Sequence, residues 1–179
     1  MKMFKRFAAA LLAGVMVLAM LTACGGGSGS GTSTIGKEFE NKYIAAINTL
    51  RGENAEKLKN DTDLHDRALA QLAKINEDGT IAPTDANTTT GTLSDDKKFV
   101  TVVTIYVPTA NKGEVVGGMC QAKEITAESL GEITTASPDA EVVKTAQALK
   151  RVGIATKVIN GKTYGAVAME IVQPVSENA

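Results

Sequence analysis

Residues 152–169 read VGIATKVINGKTYGAVAM and form two runs rich in β-branched and small side chains, joined by Asn160-Gly161. Asn-Gly is the pair that best fits the two-residue turn of a β-hairpin. Such a loop sets the following cross-strand pairs: Val158 with Thr163, Ile154 with Val167, and Val152 with Met169. These side chains fall on one face, so the register agrees with the apolar pattern. The chain is therefore predicted to close with an antiparallel hairpin.

The rest of the chain supplies one more strong strand and three helices. Residues 99–107 (FVTVVTIYV) are the strongest strand signal, which Pro108 ends. Apolar residues at helical spacing predict helices over 37–51 and 63–78, and Ser137-Pro138 fits the start of a third whose buried face carries Ala140, Val143, Ala146 and Leu149. The polar stretch 79–98 is predicted to be a surface loop. In 112–136, residues 114–121 are predicted to be a broken strand and 126–130 a helical turn.

This order of elements, helices before strands, predicts an α+β domain with helices packed on a small antiparallel sheet. The chain has 179 residues, which suits one ordinary domain. A net charge of -1 gives no reason to expect a nucleic-acid partner. Two cysteines and one histidine exclude a four-thiolate zinc site and any site that needs two imidazoles.

The N-terminus has the pattern of a secretory signal. Lys2, Lys5 and Arg6 precede an uncharged apolar run that stops at Leu21-Thr22-Ala23-Cys24. This tetrapeptide resembles the bacterial lipobox, in which the cysteine sulfur receives a diacylglyceryl group and becomes the mature N-terminus. The resemblance implies a signal peptide over 1–23 and lipid attachment at Cys24. The alternative is an uncleaved transmembrane anchor.

The segment after Cys24 is glycine- and serine-rich, so residues 24–34 are predicted to be a lipidated tether and 35–179 the single domain. Loss of 1–23 removes three basic residues and leaves 16 basic against 20 acidic ones. A net acidic domain favours anchoring through lipid and not through adhesion to anionic headgroups. The predicted location is the outer face of a bacterial cell membrane, with membrane lipid as the partner of Cys24.

Few residues suggest chemistry. His65 and Cys120 are the only weak catalytic candidates, and no spacing rule joins them as a dyad. Residues 61–66 concentrate possible metal ligands, but helix capping explains them equally well. Residues 76–79 resemble part of a calcium-binding loop. Alignment of Gly79 with the invariant glycine of such loops places Lys74 at the first ligand position, which excludes the site. We therefore predict no catalytic residue, metal site or cofactor, and the chain lacks nucleotide-binding glycine motifs.

Two segments resemble the CAP superfamily of cysteine-rich secretory proteins, antigen 5 and pathogenesis-related proteins. The first is FENKYIAAINTLR at residues 39–51, followed by Leu58, Asp61 and the apolar positions of 64–79. The second combines Ser137-Pro138 through Val143 with the final hairpin. The resemblance implies an α-β-α sandwich with a C-terminal hairpin and covers about half of the mature chain.

The departures from the CAP pattern bear on function. CAP domains carry two histidines and two glutamates that can hold a divalent metal, whereas His65 is the only histidine here. The Ser-Pro-Gly-His-Arg segment that normally precedes the hairpin is missing. A CAP domain in this chain would be shortened and degenerate, so no functional residue carries over.

Three functional hypotheses follow. The leading one is a non-enzymatic, lipid-anchored module that binds a protein or a small apolar ligand. The second is a small extracytoplasmic hydrolase that uses Cys120 or acidic residues. The third is a structural component of the cell envelope.

Overall fold

The computed structural model describes residues 32–110, 115–131, 133 and 140–175. The helices in these ranges are α1 (Thr32–Arg51), α2 (Thr62–Leu72), α3 (Pro83–Ala86), α4 (Ala127–Gly131) and α5 (Ala140–Ala148). The strands are β1 (Thr80–Ile81), β2 (Asn87–Leu93), β3 (Phe99–Tyr106), β4 (Val115–Val116), β5 (Met119–Gln121), β6 (Leu149–Ile159) and β7 (Lys162–Pro174). The predicted α+β class is confirmed.

Four strands form the central antiparallel sheet, in the order β2-β3-β7-β6. The predicted hairpin is confirmed with its register, since Val158 pairs with Thr163, Ile154 with Val167, and Val152 with Met169. A second, small sheet has the order β1-β5-β4. The central sheet is the structural frame of the domain because both apolar cores form on it.

One face of the central sheet is covered by α1 and α5. Val167, Met169 and Ile171 of β7 project to this side and pack with Phe39 and Tyr43 of α1. Their spacing is two residues, as strand geometry requires for one face. Apolar side chains of this size, fully buried, each contribute about 1.5–3 kcal/mol, so this face holds most of the large apolar core.

The opposite face is covered by α2 and depends on small residues. Ala166 and Ala168 lie under α2 and are fully buried. A Cβ atom on Gly153 would come within 2.2 Å of the backbone nitrogen of His65. Helix α2 therefore packs directly on the sheet backbone, which only glycine and alanine at these positions permit.

The predicted loop over 79–98 is wrong, because it contains β1, α3 and the seven-residue strand β2. Five residues of β2 are exposed, so its sequence has no apolar period. The strand forms because every residue of β2 pairs with β3. Pairing along an existing strand, and not side-chain burial, determines this element.

Several element boundaries also differ from the predictions. Helix α1 begins at Thr32 instead of residue 37, and α2 ends at Leu72 instead of residue 78. In α5 the buried residues are Val142 and Ala146, whereas the predicted Ala140 is exposed. Leu149 is buried but belongs to β6.

The broken strand around Gly117-Gly118 is present as β4 and β5, and the predicted helical turn as α4. The signal peptide, Cys24, most of the tether and the Ser137-Pro138 helix start lie outside the described residues. None of the described helices combines the length and the apolar character that a membrane crossing requires.

Candidate functional site

The two catalytic candidates lie on separate elements. His65 is in the first turn of α2, with its side chain 32% exposed and its Nδ1 atom 3.2 Å from Asp66 Oδ1. Cys120 lies in β5, opposite Ile81 of β1, and is 3% exposed within the α2-side core. In the described ranges, no three His, Cys, Asp or Glu side chains are grouped so that they could hold a metal ion.

The ligand-rich segment 61–66 serves as a helix start. Asp61 is the N-cap of α2, and its Oδ1 accepts a hydrogen bond of 3.1 Å from the Leu64 amide. This hydrogen bond, together with the neighbouring Arg151 guanidinium, lowers the pKa of Asp61 below its usual value. Helix capping therefore explains the position of Asp61 without a bound metal ion.

Arg151 forms the most extensive ion-pair cluster of the described residues. Its Nε donates to Glu170 Oε1 at 2.9 Å, its Nη2 donates to Glu170 Oε2 at 2.5 Å, and its Nη1 lies 3.2 Å from Asp61 Oδ1. The hydrogen bonds to Glu170 are the main reason that the pKa of Arg151 is raised. The cluster joins β6, β7 and the start of α2, and it engages the guanidinium in structural contacts.

Sequence reasoning missed this cluster, although the signal was present. The predicted hairpin register already places Arg151 opposite Glu170, as the structure does. Opposite charges facing each other on neighbouring strands stabilise a sheet. The contact between Arg151 and Asp61 could not be predicted from the hairpin register, because Asp61 lies outside the hairpin.

A surface groove of about 660 Å³ runs along α1. Its lining includes Ile44, Asn48, Gly52 and Lys57. The Asn48 side chain is held by two hydrogen bonds of 2.8 Å to the backbone of Leu58. Neighbouring Arg51 donates to the carbonyls of Ala146 in α5 and of Leu149 at the start of β6. Asn48 and Arg51 are therefore engaged in stabilising the fold, while Asn41, Glu53 and Lys57 also line the groove.

The two edges of the central sheet differ. At the β6 edge, Asn60 Nδ2 donates to Ile154 O and Ile154 N donates to Asn60 Oδ1, both at 2.8 Å, and Asp61 N donates to Val152 O. At the other edge, β2 is the terminal strand of the sheet among the described residues. Its seven residues carry no charge and no proline. We call this the open edge, because β2 has no partner strand on the side away from β3 among the described residues.

Exposed apolar side chains gather at one end of the same sheet, and we call this set the apolar end. It consists of Leu93 (56% exposed), Phe99 (46%), Val172 (39%) and Val175 (39%). Phe99 pairs with Pro174, and Val175 N donates to Lys98 O, which holds these positions together. Leu93 is also the last residue of β2, so the apolar end continues the open edge.

Helix α1 starts at the opposite end of the sheet. Gly36 packs against Thr156, close to the Asn160-Gly161 turn, while Arg51 at the other end of α1 reaches Leu149. Leu149 pairs with Ile171, next to the apolar end. The N-terminal side of the domain and the apolar end therefore lie at opposite ends of the strands.

No protein-family model, curated protein or solved structure matches this chain. The CAP resemblance stays a prediction. The open edge of β2, together with the apolar end, is the candidate functional site because, within the described ranges, it combines a strand edge without a partner strand and four exposed apolar side chains.

Proposed function

We propose that this chain is a membrane-anchored extracytoplasmic lipoprotein that works as a non-enzymatic binding module. The lipobox at residues 21–24 and the glycine-serine tract behind it support the anchor. The resemblance to the lipobox implies that the acyl chains are attached to Cys24. Two or more chains give stable attachment, since each buried methylene contributes about 0.8 kcal/mol.

The observation that carries the binding function is the position of the candidate site. The apolar end lies at the far end of the strands from the start of α1, where the tether joins the domain. The register places Leu93 on the α1 side of the sheet and Phe99 and Val172 on the α2 side, so this end exposes apolar side chains on both faces, and such exposure supports a role in binding. An anchor at one end would leave this site directed away from the membrane and available to a partner.

A CAP-like relationship belongs to the same proposal. Asn48 and Arg51 belong to the segment 39–51 that resembles a CAP domain, and both tie α1 to later parts of the chain. A shortened CAP domain without its metal ligands would keep the scaffold and act by binding. The sole histidine, His65, beside Asp66 on the surface of α2, is in keeping with that interpretation.

The anchor is tested by expressing the full chain in a bacterial host and following its location. Cys24→Ser should release the protein from the membrane fraction and eliminate the acylated N-terminal peptide detected by mass spectrometry. Cys120→Ser is the matched control and should remain membrane-bound. Equal membrane retention of the Cys24→Ser protein would contradict the proposal.

The non-enzymatic character is tested with purified mature protein, divalent metal ions and a panel of peptide, ester and cell-wall substrates. We expect no turnover above the rate without protein. Turnover that disappears in Cys120→Ser or His65→Ala would instead establish the hydrolase.

A further inference from the structure

We propose that the open edge of β2 is a docking site for an extended segment of a partner protein, which adds a fifth strand to the central sheet. The inference rests on the proposed binding function and specifies how the partner is held. Strand addition satisfies main-chain groups by hydrogen bonding and uses alternate side chains for selectivity.

Hydrogen bonds at both ends of β2 show which backbone groups face outward. Ser94 N donates to Phe99 O, and Val107 N donates to Ala86 O. The register between these contacts is regular, and hydrogen-bonded pairs alternate with non-hydrogen-bonded pairs along antiparallel strands. The backbone groups of Thr88, Thr90 and Thr92 therefore point toward β3.

The alternate residues direct their N–H and C=O groups away from β3. These are Asn87, Thr89, Gly91 and Leu93. Thr89 agrees with this assignment, because its hydroxyl lies 3.2 Å from that of Thr104, as expected for the close side chains of a non-hydrogen-bonded pair. The edge thus presents a row of donors and acceptors that only another extended backbone can match.

Within the part of the chain that the structure describes, the edge also lacks the features that normally prevent strand addition. Proteins protect edges with charged side chains, proline, bulges or a covering segment. Residues 87–93 have no charge or proline, and their pairing with β3 has no register shift. The β6 edge of the same sheet is covered by Asn60 and Asp61. The β6 edge is therefore covered, whereas the β2 edge has no such cover among the described residues.

A second copy of the chain fits this edge less well than a peptide. Seven residues at about 3.4 Å each give a strip of roughly 24 by 10 Å, or about 500 Å² for both partners. Pairing through β2 alone therefore falls short of the roughly 1,000 Å² that a stable dimer buries, and it suits transient binding of an extended segment. A two-fold pairing centred on Thr90 would also place Leu93 opposite Asn87. An extended segment can instead continue past Leu93 onto the apolar end.

The chemistry of the partner follows from the side of the sheet on which Leu93 lies. Residues 87, 89, 91 and 93 share one face, with Leu93 exposed at its end. A matching segment is uncharged, extended and rich in β-branched residues, with an apolar side chain beside Leu93. Alternation between threonine and valine satisfies these requirements.

The test uses the soluble mature chain with Cys24→Ser and a short synthetic peptide in which threonine and valine alternate between terminal lysines. Binding is measured by fluorescence anisotropy of the labelled peptide and by NMR of the protein. We expect saturable binding. The amides of Thr89, Gly91 and Leu93 should become protected from hydrogen exchange, with little change for Thr90 and Thr92.

Gly91→Pro is the blocking variant and Gly91→Ala its matched control. Gly91 has no positive φ, and its N–H points outward, so proline removes an edge donor without removing a hydrogen bond to β3. We expect Gly91→Pro to weaken binding at least tenfold and Gly91→Ala to change it less than about twofold. Circular dichroism and a urea titration establish that both variants fold.

Three results would overturn the inference. They are absence of peptide binding to the folded wild type, equal binding by Gly91→Pro and wild type, and a peptide-free dimer by sedimentation that Gly91→Pro dissociates. The last result would assign the edge to a second copy. The membrane location of the Cys24→Ser protein is independent of these measurements, so failure of strand addition is distinguishable from failure of the lipoprotein assignment.

Discussion

Asn60 and Ile154 form a pair in which a side-chain amide takes the place of a neighbouring strand. Both hydrogen bonds are 2.8 Å long and engage the backbone N–H and C=O of Ile154. Ile154 is fully buried, so these backbone groups have little access to water if Asn60 is lost. This pair closes the β6 edge and positions the start of α2.

Asn60→Ala should lower the free energy of unfolding by about 1–3 kcal/mol, because it leaves a buried donor and acceptor without partners. Urea unfolding measures the change, and the Ile154 amide should exchange faster. Asn41→Ala, on the exposed side of α1, is the control and should change stability by less than about 0.5 kcal/mol. Equal effects of the two substitutions would contradict the role of Asn60.

Gly153→Ala should destabilise the domain by about 3 kcal/mol or more. The added methyl group would lie 2.2 Å from the His65 nitrogen and the Leu64 carbonyl carbon, and backbone atoms cannot move aside without displacing α2. Thermal and urea unfolding measure the loss. Gly131→Ala is the control, since a Cβ there meets no heavy atom within 4 Å. A Gly153→Ala protein of wild-type stability would show that α2 does not rest on this backbone.

Asp61→Asn should reduce stability at neutral pH by about 1–2 kcal/mol, because asparagine keeps the cap but loses the charge beside Arg151. The pKa of Asp61 is lowered in the fold, chiefly by the Leu64 amide. Its contribution is therefore complete above the unfolded pKa of about 3.9 and disappears as the pH falls through the folded value.

Urea titrations between pH 7 and pH 2.5 should show the wild-type and Asp61→Asn stabilities converging at the acid end. Asp95→Asn, in the exposed turn between β2 and β3, controls for a simple change of net charge. A difference between wild type and Asp61→Asn that is independent of pH would mean that the carboxylate charge does not contribute.

Cys120 should resist alkylation at neutral pH until the domain opens, because it is 3% exposed. In a Cys24→Ser background, its labelling rate should rise with urea and follow the unfolding transition. Thr92→Cys, introduced at an exposed position of β2 in a protein with Cys120→Ser, should react at once. Labelling of native Cys120 at the rate of the Thr92→Cys control would support the hydrolase hypothesis.

The sequence was most informative where local rules and burial agree. The Asn160-Gly161 turn, the alternation of the final hairpin and the β-branched run of β3 predicted these elements and the register of the hairpin, which the structure confirms. The α+β class followed from the order of the elements. The same register implies the pairing of Arg151 with Glu170, which was not predicted.

The sequence by itself determined the hairpin, β3, the two main helices and the α+β class, because turn chemistry and apolar periodicity act between residues that are close along the chain. Only the tertiary structure decided that 87–93 is a strand, since an edge strand exposed on both sides has no apolar period and depends on β3 for its hydrogen bonds. It also decided which edge is closed, because Asn60 meets Ile154 across 94 residues of chain. The open edge and the apolar end are products of that long-range arrangement, which no local pattern encodes.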